Sequence, residues 1–253
     1  GRRRTRHRSD GAANVAKTCN MTQAKHVSAI AGPPGAQRTW PLARLCLGEA
    51  VATAFLLMAV VGSGIMAERL SGGNGALALL ANSLATGAAL FALIVTFGAH
   101  MNPLVTLLEA IERRQTWLGV FWMLGAQLLG AVVGVVLAHA MFEMRAIEVS
   151  GHERTGLGQW LGEAIATFGL ITLIIRTRNF SALGVAASVG AYIMAAYWFT
   201  ASTSFANPAV TLARTLTNTF AGIAPANAAA FIAAQIIGLA LAKIFVGLNA
   251  RPG

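Results

Sequence analysis

The sequence predicts an all-α membrane protein with six transmembrane helices and two shorter re-entrant half-helices, arranged as an inverted internal repeat. Hydrophobic residues make up 56% of the 253 residues and charged residues only 11%, against about 25% in soluble domains. The 27 glycines favour helices that pack closely through small side chains over a barrel of alternating strands. The third observation is an Asn-Pro dipeptide that occurs once in each half of the chain.

The N-terminal segment, residues 1–41, is strongly basic. The formal net charge of the chain is +10, and nine of its 19 basic residues precede residue 45. These nine are Arg2, Arg3, Arg4, Arg6, Arg8, Lys17, Lys25, Arg38 and Arg44. A basic arm could bind RNA or anionic lipid, but beside a membrane span it is typical of a cytoplasmic flank that obeys the positive-inside rule. We therefore predict a disordered cytoplasmic arm with no nucleic-acid partner.

Long uncharged segments define the predicted spans. One transmembrane helix needs about 20 residues, yet the uncharged segments 70–108 and 179–213 are each nearly twice that length. In both segments the residues in excess of one span begin with Asn-Pro. Each segment is therefore interpreted as one full span followed by a half-span. The six full spans are predicted at 42–67, 76–98, 116–142, 157–175, 180–201 and 224–248.

Each Asn-Pro dipeptide is typical of a helix start. Asn102 and Asn207 can act as N-caps that accept hydrogen bonds from free backbone N–H groups, and Pro103 and Pro208 suit the first helical position, where no N–H is needed. A helix that begins inside hydrocarbon requires the preceding chain to be buried in protein or to line a watery cavity. Because the residues around both motifs are mostly apolar, we predict re-entrant half-helices rather than surface loops.

The two halves of the chain match in the order of three landmarks. "LGEAVAT" at 47–53 resembles "LGEAIAT" at 161–167, the two Asn-Pro motifs correspond, and "GAQLLG" at 125–130 resembles "AAQIIG" at 233–238. Each half carries three full spans, and an odd number inverts the second half relative to the first. The predicted repeats are 42–142 and 157–248.

Charge placement agrees with this inversion. Arg113, Arg114, Arg176 and Arg178 would lie on the same side as the basic arm, while the loops on the other side carry slightly more acids than bases. The positive-inside rule then predicts a multi-pass protein of the cell membrane with both termini, including the tail 249–253, in the cytoplasm. The two half-helices would enter from opposite faces and bring their N-termini, each with about half a positive charge, to the bilayer centre.

These features together make residues 42–248 similar to the aquaporin, or major intrinsic protein, superfamily. The resemblance implies a six-helix bundle with one pore per subunit, a homotetramer in a lipid bilayer, and a passive channel rather than an enzyme, without a cofactor. It implies that Asn102 and Asn207 face the pore, that Glu49 and Glu163 brace the re-entrant loops, and that His100 is a satisfied loop histidine. No cluster of His, Cys or Asp has the spacing of a metal site.

The resemblance also points to a selectivity filter and a solute. Water-selective members place an arginine after the second Asn-Pro-Ala, but this chain has Val210 there, with Arg214 one turn later. Family spacing puts the other filter positions at Thr86, Ala195 and Ser204. These small side chains predict a wide filter without arginine. They resemble a bacterial, arsenic-associated branch that passes neutral trivalent metalloid hydroxides such as arsenite.

Besides a purely structural or adhesive membrane protein, two other functions stay open at this point. The chain could be a water or glycerol channel of the same fold. It could also be a secondary transporter built from inverted repeats, which would require an intramembrane carboxylate free to titrate.

The first half departs from the family pattern in two ways. Its motif ends in Leu104, which we expect to add bulk beside the pore midpoint, whereas the second motif ends in Ala209. The stretch "TFGAHMNP" is about four residues shorter than the usual loop. Either the second span unwinds early, or Asn102 is displaced from the pore.

Overall fold

The computed structural model describes residues 41–249, and within that range all regular secondary structure is helical. The predictions for the arm before residue 41 and for the end of the tail, residues 250–253, lie outside the described residues. The eight helices of the described range are α1 (Leu42–Leu70), α2 (Gly75–Phe97), α3 (Pro103–Ile111), α4 (Trp117–Met141), α5 (Leu157–Thr177), α6 (Ala182–Phe199), α7 (Pro208–Ala213) and α8 (Pro225–Leu248).

Six of these helices, all except α3 and α7, are long and apolar enough to cross a membrane. The prediction of six spans and two half-helices is therefore confirmed for residues 41–249. Helix α1 extends to Leu70, three residues beyond the predicted end, and contains one π-helical turn at Met58–Gly62. A short 3₁₀ turn, Arg214–Leu216, follows α7.

The helices pack in pairs that follow the repeat. Helix α1 packs against α4, α5 packs in the corresponding way against α8, and α2 packs against α6 between the two halves. At the first interface Gly130 lies against the backbone carbonyl of Ala50, and at the second Gly238 lies against that of Ala164. A Cβ atom at either glycine would collide with that backbone, so these positions set the close approach of the helices.

The loop before the first half-helix is short, and it begins directly after α2, which covers its predicted span almost to the end. Helix α2 ends at Phe97, and Gly98 takes a left-handed conformation with φ of 59°. Four residues then connect α2 to Asn102, whereas seven connect α6 to Asn207. Despite this difference, α3 and α7 contact each other in the bundle centre, so Asn102 is not displaced.

Candidate functional site

The N-termini of α3 and α7 meet through reciprocal hydrogen bonds between their asparagines. The Nδ2 atom of Asn102 donates to the Ala206 carbonyl at 2.8 Å, and Nδ2 of Asn207 donates to the Met101 carbonyl at 2.7 Å. Each side-chain oxygen caps its own helix, with Asn102 Oδ1 accepting from the Leu104 N–H at 3.0 Å. Asn207 Oδ1 likewise accepts from two backbone N–H groups of α7. Both amides are thereby fixed in orientation at one junction.

Glu49 holds the loop that leads into α3. Its Oε1 accepts from the His100 N–H at 2.7 Å, and its Oε2 accepts from the Met101 N–H at 2.8 Å. Gln127 of α4 donates to Glu49 Oε2 at 2.8 Å and to Thr106 Oγ1 at 2.9 Å. The carboxylate is 2% exposed, and each of its oxygens has a partner, as a brace requires.

Glu163 repeats this arrangement in the second half. Its Oε1 accepts from the Phe205 N–H at 2.8 Å, and its Oε2 accepts from the Ala206 N–H at 2.9 Å. Gln235 of α8 donates to Glu163 Oε2 at 2.6 Å and to Thr211 Oγ1 at 2.9 Å. The two Glu–Gln–Thr networks sit at matching positions in the repeat, so both half-helices are fixed by the same set of contacts.

The residue before each asparagine has an unusual backbone conformation. Met101 has φ of 53° and Ala206 has φ of 47°, in the left-handed region that costs a non-glycine residue on the order of 1 kcal/mol or more. Both residues donate their N–H to a bracing glutamate and offer their carbonyl to the opposite asparagine. The braces therefore keep the carbonyls aimed across the junction.

His100 is the predicted loop histidine. Its backbone N–H is held by Glu49, and its Nδ1 lies 2.9 Å from Thr106 Oγ1. Its side chain is 25% exposed and lines the central cavity described below. His100 thus combines a structural contact with a place on the cavity wall.

A cavity of about 340 Å³ passes the asparagine junction. Asn102 and Asn207 both contribute to its wall. Much of the remaining wall is aliphatic and comes from several full-length helices, as in Val60, Leu90, Ile94, Leu170, Val189 and Ile193. Polar groups are thus concentrated at the junction and towards the ends of α3 and α7.

Three of the four predicted filter residues line this cavity, namely Thr86, Ser204 and Val210. The prediction for Ala195 is wrong, because this residue is exposed on the outer face of α6. Tyr197 lines the cavity instead, and its hydroxyl lies 3.1 Å from Thr86 Oγ1. An aromatic side chain therefore stands where a small one was expected.

The inward face of α6 follows helical periodicity, which family spacing did not take into account. Val189, Ile193, Ala196 and Tyr197 are all buried, and these positions recur at intervals of three and four residues. Position 195 lies nearly opposite position 193 around the helix axis. The apolar periodicity of α6 could have identified Tyr197.

The expectation of a filter without arginine stays a prediction, but an arginine lies in the cavity wall beyond position 210. Arg214 is 1% exposed and lines the cavity beyond Val210. Its Nε donates to the Ala221 carbonyl, and its Cζ lies 3.4 Å from the centre of the Phe205 ring. The cavity wall therefore carries a positively charged residue, although position 210 is a valine.

The remaining motif residues serve the helix starts and the core rather than the cavity wall. Pro103 and Pro208 occupy the first helical positions, and Ala209 is fully buried. Leu104, expected to add bulk beside the pore midpoint, packs instead in a hydrophobic cluster that includes Ile171. Asn-Pro-Leu therefore does not narrow the cavity through its leucine.

The cavity end on the α3 side carries an ion-pair network that the sequence did not reveal. Glu109, Arg114 and Arg178 line the cavity there. Arg178 Nη2 lies 2.6 Å from Glu109 Oε1, and Arg178 also pairs with Glu112. Lys243 Nζ of α8 lies 2.7 Å from Glu112 Oε1. These residues join α3, α8 and the turn after α5.

Arg154 is a second missed residue, in the loop between α4 and α5. Its guanidinium donates to the carbonyls of Gly222 at 2.7 Å and Phe220 at 3.2 Å. Its Cζ lies 5.2 Å from the centre of the Phe205 ring. Burial lowers the pKa of the Arg154 guanidinium from its ordinary value, although arginine stays charged at neutral pH. The loop between α4 and α5 and the segment after α7 are thus joined by a half-buried cation.

Comparisons with known proteins agree with this geometry. The family model of the major intrinsic protein matches residues 36–182. Aquaglyceroporin AqpS of Rhizobium meliloti is 48% identical over 201 residues, which cover 78% of this chain and 86% of the relative. Probable aquaporin TIP2-2 of Oryza sativa is 34% identical over 141 residues, which cover 52% of this chain and 55% of the relative. The X-ray structure of the aquaglyceroporin from Plasmodium falciparum superposes with a TM-score of 0.61 at 19% identity, covering 81% of this chain and 94% of that one; it supports the fold alone.

Proposed function

Because the chain belongs to the major intrinsic protein family, whose members are channels rather than enzymes, we propose that it is a passive channel for small neutral solutes. The proposed solutes are water, glycerol and trivalent metalloid hydroxides such as arsenite in its uncharged form. The relative named an aquaglyceroporin, at 48% identity, supports glycerol and water.

The observation that carries this proposal is the junction of two asparagine amides inside one cavity. An amide nitrogen has two hydrogens, and each asparagine uses one of them for a carbonyl of the opposite motif. The second hydrogen is left to donate to a solute oxygen. Aliphatic walls beside this junction replace none of the hydration of a cation, so a neutral hydroxylated solute is favoured over an ion.

Arsenite fits the same chemistry as glycerol. Near neutral pH it is uncharged and carries three hydroxyl groups. Thr86 and Tyr197 line the cavity wall with their hydroxyls 3.1 Å apart, and Ser204 and Val210 line it with small side chains. Because a solute with three hydroxyls can exchange hydrogen bonds with such a wall without a bound metal or a reaction, we include metalloid hydroxides in the proposal.

The bracing glutamates argue against a coupled transporter. Such a transporter needs an intramembrane carboxylate that binds and releases its coupling ion. Glu49 and Glu163 each accept hydrogen bonds from two backbone N–H groups and one glutamine. Protonation of either would break contacts that position a half-helix, so these groups suit a fixed scaffold.

The outer surface supports the proposed setting in a cell membrane. Large apolar side chains project from α4, including Trp117, Leu118, Phe121 and Trp122, all more than half exposed. Lipid and neighbouring subunits of a homotetramer are the proposed partners for such faces. Both termini are proposed to be cytoplasmic.

Reconstituted proteoliposomes test this function. Stopped-flow light scattering would record water, glycerol and arsenite equilibration for the wild type, Val210→Trp and empty liposomes. The wild type should accelerate the equilibration of all three solutes. The tryptophan of Val210→Trp should slow their equilibration because it fills the cavity. Val133→Trp, on the exposed face of α4, is the matched control and should keep wild-type rates. The metalloid part fails if arsenite enters no faster than into empty liposomes, and the channel proposal fails if all three solutes do so.

A further inference from the structure

A π-helical turn interrupts α1 where that helix lines the cavity. The turn spans Met58–Gly62 and separates two α-helical parts, Leu42–Leu57 and Ser63–Leu70. Val60 of this turn lies in the cavity wall, one turn beyond Leu56. A π turn holds one residue more than an α turn, and such single turns are rare and frequent at functional sites. The turn therefore needs a contact that stabilises it against a regular α-helix.

Asn82 of α2 supplies this contact. Its Nδ2 donates to the Val60 carbonyl at 2.8 Å and to Ser63 Oγ at 2.8 Å. Because a carbonyl only accepts, the amide nitrogen and not the amide oxygen must face the π turn. Asn82 is 1% exposed, and its Oδ1 is buried without a hydrogen-bond partner among residues 41–249. A buried amide in a membrane helix is costly, and both hydrogens of this one go to the π turn and the residue after it.

Asn82 also belongs to the side of α2 that forms the cavity wall. Thr86, Leu90 and Ile94 of α2 line the cavity. Asn82 precedes Thr86 by four residues, which places both on one side of the helix. The same side of α2 therefore supplies part of the wall and holds the wall residue Val60 of α1.

Beyond the π turn, the end of α1 packs on the segment that follows α7. A Cβ atom at Gly64 would lie 3.4 Å from the Cβ of Ala221. Glu68 Oε2 accepts from the Phe220 N–H at 3.2 Å. Replacing the π turn by an α turn would rotate the two parts of α1 relative to each other by about 100°. Val60 and Gly64 would then not both keep their places.

We propose that Asn82 is a positioning residue of the channel. By holding the π turn, it keeps Val60 in the cavity wall and Ser63–Leu70 against the segment after α7, and it thereby limits the size of the solute that passes. Asn82 acts through the α1 backbone, since it does not itself line the cavity. The limit on solute size rests on the proposed function, whereas the structural role of Asn82 does not.

Disulfide formation across the contact between α1 and the segment after α7 tests the structural role. In a chain whose Cys19 and Cys46 are replaced by serine, Gly64→Cys and Ala221→Cys bring two Cβ atoms to a separation that suits a disulfide. Cross-linking by a mild oxidant is followed on gels. Asn82→Leu keeps the branched shape of the side chain but removes its donors. We expect it to slow cross-linking about fivefold, the effect of losing one net hydrogen bond.

Two further variants separate the π turn from other effects. Asn179→Leu, in the exposed turn after α5, is the matched control and should leave the cross-linking rate unchanged. Deleting Ala59, a partly exposed residue of the π turn, lets α1 continue as a regular helix with both parts in place. In this deletion background, Asn82→Leu should no longer slow cross-linking. An unchanged rate in Asn82→Leu, or equal slowing with and without Ala59, would overturn the proposal.

Solute flux tests the limit on solute size. In proteoliposomes, the ratio of ribitol to glycerol entry should rise about fivefold in Asn82→Leu, because Val60 leaves the wall, and should return to the wild-type ratio when Ala59 is also deleted. An unchanged ratio overturns the size limit. Wild-type protein that does not accelerate glycerol entry overturns the channel function but not the cross-linking result. If Asn82→Leu does not fold, recovery of folding by the Ala59 deletion supports the proposal, and failure to recover contradicts it.

Discussion

At the scale of single residues, the bracing carboxylates decide whether the half-helices stay in place. Glu163 accepts three hydrogen bonds and is fully buried. In Glu163→Gln, one carboxylate oxygen becomes an NH₂ group that faces a donor, so at least one contact turns repulsive. We expect a loss of about 1–3 kcal/mol in the free energy of unfolding.

Thermal or denaturant unfolding in detergent measures this effect. Glu153→Gln, an exposed glutamate in the loop before α5, is the matched control and should change stability by less than about 0.5 kcal/mol. Equal stability of the two variants would mean that Glu163 does not brace the loop before Asn207.

The correction at Ala195 leads to a second residue-scale prediction. Ile193 and Ala195 lie on the same helix, but only Ile193 faces the cavity. Ile193→Phe adds bulk to the wall and should lower glycerol flux about tenfold, as measured by stopped-flow scattering. The phenyl ring of Ala195→Phe would point away from the cavity, so this variant should leave glycerol flux unchanged. The reverse order of effects would restore Ala195 as a wall residue.

Sequence reasoning finds some of these residues and misses others for a physical reason. Asn207 and Glu163 can be predicted because their counterparts recur in the first half in the same order. No comparable sequence pattern indicates in which direction a long side chain points. The sequence places Arg214 close to the filter, but whether it turns into the cavity depends on Phe205 and the Ala221 carbonyl.

At the scale of helices, the closest packing depends on glycine. Gly130 of α4 lies against the Ala50 carbonyl of α1, whereas a Cβ atom added at Gly125 of the same helix would meet nothing within 4 Å. Gly130→Ala should therefore separate α1 from α4 and destabilise the bundle by about 1–3 kcal/mol. Gly125→Ala should be neutral or slightly stabilising, since alanine favours helices.

Midpoints of thermal unfolding compare the two glycine variants. Because both substitutions add the same methyl group to the same helix, a difference in midpoint reports the interface and not helix propensity. Similar midpoints would contradict the close approach of α1 and α4 at Gly130.

Helix number and helix limits could be predicted from hydropathy and from the Asn-Pro starts. The course of the chain before Asn102 could not be predicted. The short stretch "TFGAHMNP" was compatible both with a second span that ends early and with a displaced Asn102. Gly98 ends α2 in a left-handed conformation, and the four residues 98–101 suffice to reach the junction. Only the assembled bundle shows that this shorter path brings Asn102 to the Ala206 carbonyl.

At the scale of the whole molecule, the inverted repeat predicts which loops share a side of the membrane. Arg145 follows α4, Arg176 lies in the last turn of α5, and both are exposed. In a chain whose Cys19 and Cys46 are replaced by serine, Arg145→Cys should react with a membrane-impermeant maleimide in intact cells. Arg176→Cys should react only after permeabilisation. Labelling in the opposite order would invert the proposed orientation.

The central claim is that one cavity past two asparagines carries neutral solutes passively. The most direct measurement is the initial rate of glycerol entry into proteoliposomes over a wide range of glycerol gradients, with and without a proton gradient. We predict rates proportional to the glycerol gradient and unaffected by protons. Saturation together with dependence on the proton gradient would contradict the claim and indicate a coupled transporter.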